Sequence, residues 1–183
     1  MDRQASKAIV RTKNGNMLVR VIQAISMVAG WCSAAMILSA VALTCQMIFV
    51  RFALNGSTVW QTEIVVYLII AATLLGLSFV QHQRGHVNVD LIPLAVRGRT
   101  RFMLAFFTLS LSITITAVML FYGHEYWYFA YIRGWTSDTV SAVPLWIPYL
   151  SLPLGFGLLL LQLIADLIAL LTNAETPFGL EAQ

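Results

Sequence analysis

Four stretches without a single Asp, Glu, Lys or Arg, at residues 21–50, 64–83, 102–124 and 139–165, constrain this chain more than any motif in it. They measure 30, 20, 23 and 27 residues. A helix rises about 1.5 Å per residue, so about 20 apolar residues cross the roughly 30 Å of hydrocarbon in a bilayer, and each stretch suffices. Only 10% of the 183 residues are charged and 59% are hydrophobic, against about 25% charged in a soluble domain. No piece outside the stretches reaches the roughly 50 residues of a small soluble domain. The expectation is an all-α membrane protein with four transmembrane helices, forming a single integral membrane domain over 1–183. The spans are expected at about 21–49, 58–81, 102–124 with an extension to 132, and 145–171, with tails at 1–20 and 173–183.

The eleven Lys and Arg residues set the orientation. Arg3, Lys7, Arg11, Lys13 and Arg20 precede the first span, and Arg84, Arg97, Arg99 and Arg101 lie between the second and third. Arg51 and Arg133 stand alone in the other two connections. The positive-inside rule then places both termini and the 2–3 connection in the cytoplasm. The basic excess is a topology signal with some contact to anionic lipid, and nucleic-acid binding is not expected. A basic stretch, an apolar run and Ala40-Val41-Ala42 imitate a signal peptide. The run is about twice the usual h-region, so the segment is expected to stay as an anchor.

Cys32 and Cys45 are thirteen residues apart, about 20 Å and 220° on one helix, and cannot bond to each other. They are expected to be buried, unreactive thiols. Asn55-Gly56-Ser57 marks a turn, with Ser57 or Thr58 available to cap the second helix. Ala72 and Gly76 form a small-residue patch for close helix approach, about 220° around from Glu63. In the third span the alternation from Thr108 to Thr116 imitates a β-strand. A lone strand cannot satisfy its backbone in lipid, so a helix is expected, with hydroxyls bonded to carbonyls one turn earlier. Tyr122, Tyr126, Trp127, Tyr128 and Tyr131 suit the boundary between hydrocarbon and headgroups. Pro144, Pro148 and Pro153 open the fourth span, where Pro153 should kink or delay the helix.

Glu63 is the first candidate for chemistry, because a carboxylate in a membrane segment is a functional suspect by default. Its place about five residues inside the second span favours a structural or subunit-contact role: reaching interfacial water, answering the helix dipole, or pairing with Arg51. Proton coupling is the sharper alternative. His82, His86 and Asp90 recur every fourth residue and could share a helix face as metal ligands. Gly85 and Pro93 argue against an unbroken helix there, which favours a surface network of Arg84, His86 and Asp90. Asp90 could also cap a short interfacial helix running through Val96. Asp166 reads as an anchor or interhelix contact. His82 and His86 at one end and His124 at the other cannot share a haem iron. No cofactor and no resident metal is expected, and no enzymatic motif is present.

Arg51-Phe52, Trp60 with Glu63 three residues later, Gly76, and Arg84-Gly85-His86-Val87-Asn88-Val89-Asp90 follow one another in an order that carries a resemblance. Val143-Pro144-Leu145-Trp146 and Leu152-Pro153-Leu154-Gly155 extend it. Together they resemble the small membrane subunit, DctQ type, of tripartite ATP-independent periplasmic (TRAP) transporters. One departure is Thr62, where that family often has a second acid beside Glu63. The resemblance implies a non-enzymatic subunit of the bacterial inner membrane. It would support a large permease subunit (DctM-type) in ion-gradient-driven uptake of a carboxylate-type solute delivered by a periplasmic solute-binding protein (DctP-type). Arg51, Trp60, Glu63, Gly76, Arg84, His86 and Asp90 would then be subunit-interface or structural residues. The connection from Glu125 to Asp138 would help receive the binding protein. The alternative from another class is a stand-alone proton-coupled exporter using Glu63.

Overall fold

The computed structural model describes residues 17–83 and 99–171. Over these the chain forms α1 (Met17–Ala53), α2 (Val59–His82), α3 (Arg99–Arg133), the single turn α4 (Trp146–Tyr149) and α5 (Ser151–Leu171). Four helical stretches are long and apolar enough to span: Val19–Ala53, Val59–His82, Phe102–Ile132 and Trp146–Leu171. The described residues contain no β-strand beyond an isolated Thr136–Pro144 bridge. The alternating stretch of α3 is helical, and Thr108 and Thr114 donate to the Leu104 and Ser110 carbonyls at 3.0 and 2.9 Å. Back-bonding satisfies the hydroxyls on a lipid-facing surface.

The helices do not close into a symmetric bundle. α1 packs mainly on α2, α5 packs on both α2 and α3, and α1 also touches α5. Among the described residues α3 is held principally by α5, with help from α4. A third (33%) of the most apolar window of the fourth span is buried, against 11% in the other three. α5 is therefore the hub, although it is the shortest of the four long helices.

Packing selects small and hydroxyl residues. The buried face of α1 runs Val19, Ile22, Ser26, Ala29, Ser33 and Ala40, a 3-4 alternation that matches left-handed helix pairing. The outer positions carry Val28, Trp31, Leu38 and Phe49. Lipid is as apolar as leucine, so close approach of small residues and interhelix hydrogen bonds drive association instead. Ser33 Oγ donates to the Ala72 carbonyl at 2.6 Å, and a side chain at Gly76 would begin 3.0 Å from that Oγ. The Ala72–Gly76 patch thus receives α1. Cys32 and Cys45 are free, but both are exposed on α1 rather than buried. The expectation of burial fails because both cysteines lie off the inward face, which near them is taken by Ser33 and Ala40.

One boundary expectation is corrected and another is met. Thr58 occupies the N-cap of α2 without a side-chain cap bond, and its carbonyl accepts from the Thr62 N–H and hydroxyl. Pro153 produces the delay: the chain makes α4, then starts α5 at Ser151, whose Oγ donates to the Pro148 carbonyl. Pro153 sits in the first turn, where its missing N–H costs no hydrogen bond.

Gly155 sets the α5–α2 distance, because an added Cβ would lie 2.7 Å from both the Leu74 carbonyl oxygen and Cβ. Gly155→Ala should force the helices apart and destabilise the fold by about 1–3 kcal/mol. Gly157→Ala, whose Cβ would meet only Leu120 Cδ1 at 3.9 Å, should be neutral. Thermal or detergent unfolding of the two variants measures the difference.

Candidate functional site

Polar side chains gather at the two ends of the helix array. At the end bearing the α1–α2 and α3–α4 connections, Glu63 lies one turn inside α2 and is 8% exposed. Its Oε1 accepts from the Tyr67 hydroxyl at 2.7 Å, and its Oε2 accepts from the Thr139 hydroxyl at 2.7 Å. Tyr67 stands one turn further along the same helix, where i and i+4 side chains meet. Thr139 comes from the loop that joins α3 to α4. Its hydroxyl also lies 2.9 Å from Ser137 Oγ, which accepts from the Val143 N–H at 3.2 Å. Glu63 therefore closes a chain of hydroxyls that fastens the loop to α2.

The loop is built to meet it. α3 ends in a Schellman arrangement: Gly134 adopts φ +59, its N–H donates to Tyr131, and the Trp135 N–H donates to Ala130. A left-handed residue at that position suits glycine. The chain then folds back, with Ser137 N–H donating to Val143, Ala142 N–H to Thr139 and Leu145 N–H to Trp135. Around the turn, Tyr126 packs on Trp135 and Tyr149, and Tyr131 on Trp146, at ring distances of 5.8, 5.1 and 5.9 Å.

At the opposite end, Ser26 Oγ donates to Gln162 Oε1 at 2.8 Å, and Gln162 Nε2 donates to Asp166 Oδ1 at 3.0 Å. Gln81 Nε2 donates to Asp166 Oδ2 at 2.8 Å. One carboxylate and one buried amide thereby tie α1, α2 and α5 together. Asp166 is an interhelix contact.

The residues expected from sequence are not one cluster. Glu63 is bound to Tyr67 and Thr139 rather than to Arg51, which is exposed in the last turn of α1. Trp60 is 47% exposed in the first turn of α2. Gly76 lies deeper, on the α1–α2 contact. Arg84, His86 and Asp90, with the interfacial helix expected through Val96, lie outside the described residues. Sequence reasoning missed Tyr67, Ser137, Thr139, Ser26, Gln81 and Gln162. The fourfold spacings Glu63–Tyr67 and Gln162–Asp166 could have revealed two local pairs, but nothing local announces Thr139 or Ser26.

Thr139→Val removes the donor that joins the loop to Glu63 and should speed hydrogen exchange at the amides of Ser137 and Leu145. Exchange in the middle of α5 should stay unchanged, and equal protection of the loop in both proteins would refute the fastening role.

The family model described as tripartite ATP-independent periplasmic transporters, DctQ component, matches residues 40–173. The chain is 23% identical over 138 residues to the C4-dicarboxylate TRAP transporter small permease protein DctQ of Vibrio cholerae serotype O1 (strain ATCC 39315 / El Tor Inaba N16961). That alignment covers 64% of this chain and 60% of the relative's length. No solved structure matches the chain.

Proposed function

This chain belongs to the DctQ component family of tripartite ATP-independent periplasmic transporters, and from that premise we propose that it braces the large permease subunit without binding solute itself. It is a multi-pass protein of the bacterial inner membrane and a transporter component, not an enzyme. In the proposed assembly a large permease subunit carries out ion-gradient-driven uptake of a carboxylate-type solute delivered by a periplasmic binding protein. The relative's name specifies C4-dicarboxylates for that relative, which supports the solute class. The lysine and arginine distribution supports cytoplasmic termini, with the Glu63 end facing the periplasm.

The observation that carries this reading is the state of Glu63. Both of its oxygens accept hydroxyls of the same chain at one end of the array. A proton-exchanging carboxylate would need to face a water path through the membrane. Glu63 instead holds a loop, and the Glu63-dependent exporter is not favoured. With Arg51 and Trp60 it belongs to the expected periplasmic rim, where the indole suits the headgroup layer. Gly76 serves the α1–α2 fit. Arg84, His86 and Asp90 are assigned to the cytoplasmic rim by the lysine and arginine distribution together with the family resemblance. The connection expected at Glu125–Asp138 is helical through Arg133, so the loop from Gly134 to Leu145, with Val140 97% exposed at its tip, is proposed instead to receive the binding protein.

Reconstitution tests the reading. The chain alone in liposomes should take up no labelled C4-dicarboxylate under sodium or proton gradients. Uptake by the three-part system should survive Glu63→Gln within about threefold, whereas loss of a proton-coupling carboxylate would abolish transport. Gradient-driven uptake by the isolated chain would overturn the supporting role.

A further inference from the structure

Glu125 is a charged residue on the side of the spanning helix α3. It lies eight residues before Arg133 at the end of α3, about 12 Å along the axis, and inside the span Phe102–Ile132. Nearby Gly123 abuts Leu152 in the first turn of α5. Glu125 therefore stands at the depth where α5 begins, below the loop rather than in it.

Its direction decides what can reach it. Ala105, Thr116, Gly123 and Ala130 form the buried face of α3, and at about 100° per residue Glu125 falls roughly opposite them. It is exposed. One turn away in each direction stand Phe121, Tyr122, Tyr128 and Phe129, which are 67, 62, 49 and 40% exposed. The nearest cation on the helix, Arg133, lies over the Phe129 ring at 5.4 Å. Among the described residues no basic side chain pairs with Glu125.

A carboxylate ringed by exposed aromatic side chains on the side of a spanning helix offers a charge that a basic group of a membrane-embedded partner can answer. The outer face of α2, by contrast, exposes Val66, Ile69, Ile70 and Val80, a surface that acyl chains satisfy. We propose that the outward pole of α3 centred on Glu125 is the surface that packs against the large permease subunit, with a lysine or arginine of that subunit facing the carboxylate. This rests on the subunit reading above. A soluble binding protein approaches the loop tip from outside the membrane. Glu125 points sideways within a span, at a depth that another membrane-embedded chain shares. A charge desolvated by partner contacts and ringed by aromatic side chains has the composition of a central interface contact.

The experiment co-expresses this chain with the large permease subunit of the same transporter, extracts both in detergent and purifies through a tag on this chain. Glu125→Lys should lower recovery of the large subunit by at least about tenfold, while Glu125→Asp should retain most of it. A photo-reactive residue at position 121 or 129, with Glu125 intact, should cross-link to the large subunit, and one at 66 or 70 should not. These cross-links decide the matter even where the lysine variant proves unstable. Undiminished recovery with Glu125→Lys, or adducts from 121 and 129 only to lipid, to the binding protein or to a second copy of this chain, would overturn the surface while leaving the subunit reading in place. If the unaltered chain recovers no large subunit, both fall.

Discussion

Hydrocarbon offers no hydrogen bonds, so each polar group that enters the spans must be answered by the chain itself or by something packed against it. Backbone groups are answered by helix formation, which is why the Thr108–Thr116 alternation cannot stay extended. Hydroxyls on exposed faces turn back to their own helix, as Ser39, Thr73 and Thr114 do. The remaining polar side chains hold helices together. Ser26 and Gln162, exposed by 1% and 0%, form a bond between α1 and α5 that has no water to compete with it. Such bonds contribute about 0.6–2 kcal/mol each in membrane proteins.

From this constraint follows the division of labour among the helices. α5 carries Ser151, Gly155, Gln162, Ala165 and Ala169 on its buried surface, and that mixture of small and amide residues lets three neighbours approach it. α3 has one small-residue face, and much of its remaining surface is large apolar or aromatic side chains. It therefore rests on α5 at the edge of the array, where the loop tied to Glu63 gives it a second attachment. A slab of this kind leaves broad apolar surfaces uncovered, which agrees with a transporter component whose partner is another membrane protein.

The number and type of the helices were legible because freedom from charge over 20 or more residues is a one-dimensional property. The inward faces were less legible. In a helix apolar all round, hydrophobicity does not separate the buried side from the lipid side, and the placement of Cys32 and Cys45 was misread for that reason. Glu63 stood out as a charge in a span, yet its role depended on Thr139, 76 residues away. Glu125 was read both inside a third span extended to 132 and at the start of a connection, because the uncharged stretch ends at residue 124. The helix passes through it, since one charge near a membrane surface does not break backbone hydrogen bonding.

Charge-free lengths, the asymmetry of lysine and arginine, and the order of the Arg51–Asp90 motifs by themselves determined four spans, their expected orientation and the family. Which helix is the hub, what Glu63 holds, and where Glu125 points were decided only by tertiary structure. Helices are local and written in consecutive residues, whereas contacts among Ser26, Gln81, Gln162 and Asp166, or between Glu63 and Thr139, arise only when distant segments reach the same depth and face.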